Sequence, residues 1–244
     1  MQAQVIAHAD DATKAPWQAA DLRFFWNYHI SMKLMQQTAV DVSAFRTVAL
    51  PALKLPQLGR YIMPVVYGSC GMSWTQINGQ RFQFVLISRR SRFRAGTRYF
   101  TRGIDATGHV GNYNETEQMV ITESNSKTAF VQTRGSIPLF WAEVNNMKYL
   151  PDMLVMHKPE ALSALKTHLE EQVTLYGTQT LVNLVDSTGH EKPVKEAYEE
   201  QVKAAAMPSV KYHHFDFHRE CRNMRWDRIS TLIDQLEPEL EEKG

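Results

Sequence analysis

Cysteine is scarce: the 244 residues hold 2, Cys70 and Cys221. They lie far apart in sequence and make neither a disulfide framework nor a metal-binding pair, so a reducing, cytosolic setting is the expected one. An excess of one charge is also lacking. Lys and Arg number 27 and Asp and Glu 26, a net charge of +1. No global field therefore draws the chain to nucleic acid or to an acidic membrane, and any such attraction must come from a local cluster. Nowhere do about 18 apolar residues follow one another, which excludes a membrane-spanning helix within these residues. The opening MQAQVIAHADDATKAPWQAA pairs two aspartates and has no continuous apolar stretch, so it does not read as a signal peptide. Internal repeats and low-complexity tracts are missing as well. What remains is ordinary globular chemistry, 43% hydrophobic and 22% charged, with enough apolar surface for a real core.

The pattern of apolar and turn-forming residues divides the chain. WQAADLRFFWNYHISMKLMQQ places Leu22, Phe25, Trp26, His29 and Met32 or Lys33 at helical steps, which predicts an amphipathic helix after Pro16 with an aromatic face. VALPALKLPQLGRY, broken by Pro51, Pro56 and Gly59, reads as a linker or subdomain junction. YIMPVVYGS and GMSWTQI are strand-like, and Asn78-Gly79 is a hairpin signal ahead of QRFQFVLIS. HVGNYNETEQMVIT and KTAFVQTRG follow as strands, so residues 61–141 are expected to form a largely antiparallel sheet. The later order is α/β-like. Pro159 opens a helix that Gly177 ends, TQTLVNLV is a strand, and DSTGHEKP a turn. KPVKEAYEEQVKAAAM is a second helix, SVKYHHFDF a strand parallel to the first, and HRECRNMRWDRISTLIDQLEPEL a third helix. The fold class expected is α+β: a β-rich N-terminal part, then the opening of an α/β subdomain.

The most unusual segment is SRRSRFRAGTRYFTRGID at 88–105. It carries Arg89, Arg90, Arg92, Arg94, Arg98 and Arg102, with no acid before Asp105. Guanidinium groups bind phosphate bidentately, and Gly96 and Gly103 let the backbone turn so that several could converge. The same arginines could equally pair with acids such as Glu115 and Glu117 on the next strand. Nucleic acid is disfavoured, because interleaved aromatic stacking platforms are not evident and the net charge is nearly zero.

RFFWN at 23–27, LISRRSRFRAGTRYFTRGID at 86–105, ETEQ at 115–118, QTRGSIPLFW at 132–141 and FDFHRECRNMRWDRIS at 215–230 together resemble the Sac-domain phosphoinositide phosphatases. Within that family the chain is most similar to the endoplasmic-reticulum and Golgi phosphatidylinositol 4-phosphate phosphatase. The resemblance runs from about residue 20 to the end. It implies hydrolysis of an inositol-ring phosphate monoester, a lipid-headgroup substrate at the cytosolic face of internal membranes, and no cofactor. Residues 1–58 would be a remnant of the Sac N-terminal subdomain, and 59–244 the first part of the catalytic one.

The family's catalysis implies a Cys-x5-Arg loop, in which a thiolate attacks phosphorus while backbone amides and the arginine hold the phosphoryl oxygens. Neither cysteine supplies it: the arginine position is Asp227 after Cys221 and Gln76 after Cys70. In the family that loop follows LIDQLEPEL by some tens of residues, and membrane anchors come later still. A fragment, a truncated gene or a degenerate copy is the expectation, and no catalytic residue is assigned. The rival reading is a catalytically dead phosphoinositide- or membrane-binding module; a third is a piece with no stable fold. His213, His214 and His218 invite a metal, but zinc needs three or four converging ligands and Asp216 is the one carboxylate at a recognised spacing. Asp216 or His218 is instead expected to cap the helix that follows. Trp26, Trp74, Trp141 and Trp226 are expected in the core or at a subdomain contact.

Overall fold

A computed structural model of the chain describes residue 15 and residues 17–38, 56–97, 100–144 and 151–243. These fall into two compact units, residues 1–95 with 112–134 and residues 96–111 with 135–244. The architecture is α+β. The first unit is built on β1 (Gly68–Ile77), β2 (Gln80–Arg90), β3 (Asn114–Thr122) and β4 (Lys127–Arg134), paired antiparallel in that order. Asn78 and Gly79 make the first hairpin because both central residues of a two-residue turn need positive φ, and theirs are 50° and 79°. Side chains alternate between faces, so the pairs Met72↔Val85 and Val85↔Met119 put apolar groups together and bury Val85. β1 is exposed at every position.

Helix α1 (Tyr28–Thr38) begins later than its sequence pattern predicts. The backbone ahead of it is engaged elsewhere. The Trp26 N–H donates to the Val65 carbonyl at 2.8 Å. The Asn27 side-chain amide donates to Met63 O and accepts from Val65 N, and Asp21 holds Arg23 N. The Trp26 and Arg23 N–H groups are thereby taken from the i→i−4 bonds that helix propagation would need. The Asn27 side chain fixes the segment against residues 63–65. Phe24 and Phe25 therefore enter the core from an irregular segment, beside Ile62, Val85 and Tyr113 as the unit's other buried apolar residues, while Leu22 stays half exposed. The same ties keep residues 62–67 out of the sheet, so the strand expected from Tyr61 starts at Gly68. Of the linker, Pro56–Tyr61 form a short 3-10 turn, and residues 48–55 lie outside the described residues.

The second unit begins with a loop expected to lead into a strand from His109. Gly103 and Gly108 have φ of 71° and 89°, and the strand is delayed to Asn114. Asp105 folds the loop by accepting from Thr107 N, Thr107 Oγ1 and His109 N. The rest of the unit is β5 (Trp141–Val144) and β6 (Asp152–Val155), an antiparallel pair too short to stand out in the sequence, then α2 (Ala161–Tyr176), β7 (Gln179–Asn183), α3 (Lys192–Ala205) and β8 (Val210–His214). β7 and β8 are parallel, joined through α3 as the alternation predicts. α2 buries Ala161, Ala164, Leu165, Leu169 and Gln172, one stripe at helical steps, and α3 faces it with Val194, Tyr198 and Ala205. Leu165, Leu169, Val194, Tyr198 and Ala205 form the core cluster with Leu139 and Trp141.

The single helix expected over 218–240 is instead broken. α4 (Phe217–Glu220) is capped by Asp216, whose side chain accepts from Arg219 N. Asn223 and Met224 both turn left-handed, with φ of 59° and 61°, and a second helix, α5 (Ile229–Lys243), starts only after a 3-10 turn at Trp226–Arg228. Two consecutive left-handed residues cannot sit inside an α-helix.

Two predictions follow from the loop at 103–111. A Cβ on Gly103 would meet the Leu139 carbonyl oxygen at 2.4 Å and carry a positive φ. Gly103→Ala should lose about 2 kcal/mol, seen as a lower urea midpoint; an unchanged midpoint would show that the Leu139 backbone yields. His168 donates from Nδ1 to the Gly108 carbonyl at 3.0 Å. Burial pushes this imidazole down to about 4, with the bond to Gly108 opposing and the charge of His109 adding to the fall. Its folded value lies below the unfolded one, so its contribution is complete above about pH 6.5 and is lost as pH falls towards about 4, on the order of 3 kcal/mol. Urea melts across that window should show a shallower pH dependence for His168→Gln than for wild type.

Candidate functional site

The arginine-rich stretch does not converge as a group within either unit. Arg89, Arg90, Arg92 and Arg94 belong to the first unit and Arg102 to the second, while Arg98 lies outside the described residues. Arg89 stands on β2 directly opposite Glu115 of β3. Its guanidinium donates to Glu115 Oε1 at 2.6 Å and to Glu117 Oε2 at 2.7 Å. Arg23 closes on the other oxygen of Glu115 at 3.4 Å and is itself held by Asp21. Burial works against the charge on Arg89, but the bonds to Glu117 and Glu115 outweigh it and raise its pKa. Arg102 in turn donates to Glu143 and lies 5.3 Å from the Trp141 ring centre.

The remaining described arginines differ. Arg90 points to the opposite face of the sheet, donates to the Asn112 side-chain carbonyl and sits over Tyr67, which stacks on Trp26 at 4.9 Å. Arg94 adopts a left-handed backbone with φ of 44°, and its carbonyl accepts from Asn112 N. Arg92 lies between Phe93 at 4.2 Å and Tyr28 at 4.4 Å, with Nε donating to the Leu22 carbonyl. Among the described residues it pairs with no carboxylate. Burial lowers its pKa, with Tyr28 opposing, yet an arginine so placed remains a cation.

A second polar cluster lies just past the carboxyl ends of β7 and β8, where open α/β sheets place their ligands. Ser187 donates to Asp216 Oδ2 through both N–H, at 2.9 Å, and hydroxyl. The other oxygen of Asp216 takes Arg219 N at 3.0 Å. Burial favours protonation of this carboxyl, but the bonds from Ser187 and Arg219 win and hold its pKa below the usual range. Asp216 is thus an ionised acceptor that ties the turn after β7 to α4, and no proton donor at neutral pH. His218 donates from Nδ1 to Asp186 Oδ1 at 2.7 Å, and that bond, with the Asp186 charge, raises the imidazole's pKa. Its side chain is 75% exposed. Asp186 and Ser187, in the expected turn, were not singled out by sequence; the strand-end position in an alternating β and α order was the available signal.

The histidines go separate ways. His214 Nε2 donates to the Val185 carbonyl, and His213 lies 3.7 Å from Glu239 of α5. Among the described residues no group of three His, Cys, Asp or Glu is placed to hold a metal ion. Of the tryptophans expected in the core or at a subdomain contact, Trp141 is buried, while Trp26, Trp74 and Trp226 are outside the core, exposed by 38%, 54% and 57%. Trp74 lies on the fully exposed β1 and Trp226 on the break before α5. Cys221 is buried at the end of α4 and Cys70 is exposed on β1.

Comparison with known proteins adds the lineage. The SacI homology domain family matches residues 1–222. An uncharacterized protein of Schizosaccharomyces pombe is 43% identical over 238 residues, covering 96% of this chain and 38% of that protein. Phosphatidylinositol-3-phosphatase SAC1 of Saccharomyces cerevisiae is 44% identical over 228 residues, 91% of this chain and 34% of its own. Phosphatidylinositol-3-phosphatase SAC1-A of Danio rerio is 39% identical over 227 residues, 93% of this chain and 36% of its own. The chain thus spans little more than a third of each relative's length. With this match over most of its residues, and with the arginine and FDFHRE blocks placed as described, the chain belongs to the SacI homology domain family.

Proposed function

We propose that this chain is part of a phosphoinositide phosphatase that hydrolyses the phosphate monoester on the inositol ring, with phosphatidylinositol 4-phosphate as substrate. The observation that carries this reading is the family match over residues 1–222. The relatives' names specify a 3-phosphatase, so the two monophosphate isomers belong side by side in any assay. The proposed place of action is the cytosolic face of endoplasmic-reticulum and Golgi membranes. No described helix is long and apolar enough to cross a membrane. Assignment of 1–58 and 59–244 to the two Sac subdomains belongs to the same proposal.

For the headgroup, Arg89, Arg90, Arg92, Arg94, Arg98 and Arg102 are the proposed phosphate-facing set, and Arg92 is its leading member because it has no acid partner among the described residues. Arg89 and Arg102 would have to bind phosphate while already bonded to Glu115, Glu117 and Glu143. A second reading is a phosphoinositide-binding module without catalysis; these 244 residues themselves hold no Cys-x5-Arg string.

The 244 residues alone should release no phosphate from short-chain phosphatidylinositol 3- or 4-phosphate, and Cys221→Ser should behave identically. Joining a segment that carries Cys-x5-Arg should restore turnover. Turnover by the chain that vanished in Cys221→Ser would make Cys221 the nucleophile and overturn the reading. Replacing Arg92 and Arg94 together with Gln should weaken binding to vesicles containing phosphatidylinositol 4-phosphate by roughly fivefold, the effect of about 1 kcal/mol at a half-exposed site. Equal binding by variant and wild type would return the stretch to a purely structural role.

A further inference from the structure

The break between α4 and α5 does something the fold does not require. Its two ends are fixed: Asp216 caps α4, and Cys221 is buried with its N–H on the Phe217 carbonyl. Between them and Ile229 every residue from Arg222 to Arg228 is exposed. Asn223 and Met224, both left-handed, turn the chain outward, and for methionine that conformation is strained. Met224 is 79% exposed and Trp226 57%. Trp226 rests its ring tilted against Phe217 with centroids 6.1 Å apart, which steadies the indole without covering it.

Arg222, Arg225 and Arg228 alternate with these apolar side chains. Among the described residues none of the three guanidinium groups makes a hydrogen bond, an ion pair or a ring contact. This sets them apart from Arg23, Arg89 and Arg102, which bind acids, and from Arg219, which is paired with Glu220. Asp227 is the one acid within the turn, and the acids of α5 begin at Asp234, about 9 Å further along at helical rise. Cationic, aromatic and flexible apolar groups thus share one projecting turn, with the acidic part of the next helix set back from it.

We propose that residues 222–228 dock this unit on an anionic lipid bilayer, with Trp226 and Met224 entering the interface and Arg222, Arg225 and Arg228 meeting lipid phosphates. The charge pattern selects this occupant. Unpaired arginines next to an exposed indole match an interface that offers anionic headgroups above an apolar layer. An acidic protein would satisfy the arginines but leave the Met224–Trp226 pair without reason. Single-stranded RNA would want successive stacking platforms, and the turn has one indole. The inference rests on the membrane part of the function proposed above and not on catalysis or on the arginines of 89–102.

The test uses vesicles free of phosphoinositide, so that failure here and failure of the phosphatase reading are told apart. The chain should sediment with phosphatidylcholine vesicles containing phosphatidylserine and not with phosphatidylcholine alone. Arg222→Gln, Arg225→Gln and Arg228→Gln together should weaken this on the order of a hundredfold, about fivefold for each arginine. Brominated lipid should quench tryptophan fluorescence in wild type and lose that quenching in Trp226→Phe. Slow thiol labelling of buried Cys221 in each variant reports that the fold survives. Unchanged vesicle binding in the triple variant with Cys221 still protected, or quenching that persists in Trp226→Phe, would overturn the proposal. So would tight binding to single-stranded RNA with none to vesicles.

Discussion

A carboxylate taken out of water has to be met by hydrogen-bond donors, and that constraint decides most of what is built here. The side chains of Glu115 and Glu143 are 7% and 6% exposed, and Asp216 is 4% exposed. Each is answered by a particular group: Arg89 and Arg23 for Glu115, Arg102 for Glu143, Ser187 and the Arg219 backbone for Asp216. In the first unit this pairing ties the irregular segment before α1 to the strand pair β2 and β3. In the second it joins the turn after β7 to the start of α4. Two arginines of the 88–105 stretch, Arg89 and Arg102, are thus bonded to acids within the protein.

The described arginines differ in what holds them. Arg89 and Arg102 are held by acids and by packing. Arg92 is held by aromatic rings and a carbonyl, with no acid partner among the described residues. Arg222, Arg225 and Arg228 are exposed and uncommitted. Charge-assisted bonds already made inside the fold leave little for a ligand, whereas uncommitted guanidinium groups lose only hydration on binding phosphate. Arg92 and the three arginines of the α4–α5 turn are therefore the described arginines with no carboxylate partner on which the two proposals rest.

Much of the secondary structure was legible because it rests on local rules. Asn78-Gly79 demands the turn it forms, the stripe Ala161, Ala164, Leu165, Leu169 demands a buried helix face, and the order β7, α3, β8 demands a parallel pair. Where sequence reading went astray, long-range bonds had overridden local propensity. Residues 17–27 carry a helical pattern, but Trp26 and Asn27 spend their polar groups on Met63 and Val65. The helix expected across 218–240 breaks at Asn223 and Met224, where asparagine suits the left-handed backbone but methionine carries no turn signature. Arg89's pairing with Glu115 and Glu117 was among the open alternatives and needed register to decide it, since a slip of one residue would put them on opposite faces. The ends of the parallel strands gather Asp186, Ser187, Asp216 and His218 from segments about thirty residues apart, a distance that no local window spans.

The central claim is that the buried Glu115 holds Arg89 as part of the fold's own framework. A double-mutant cycle on Arg89→Met and Glu115→Gln, followed by urea denaturation, measures that hold directly. The account predicts that each single change destabilises the chain and that the pair is coupled by about 2 kcal/mol, because either partner alone is left buried and unmatched. Additive effects, with Arg89→Met sparing stability, would contradict it.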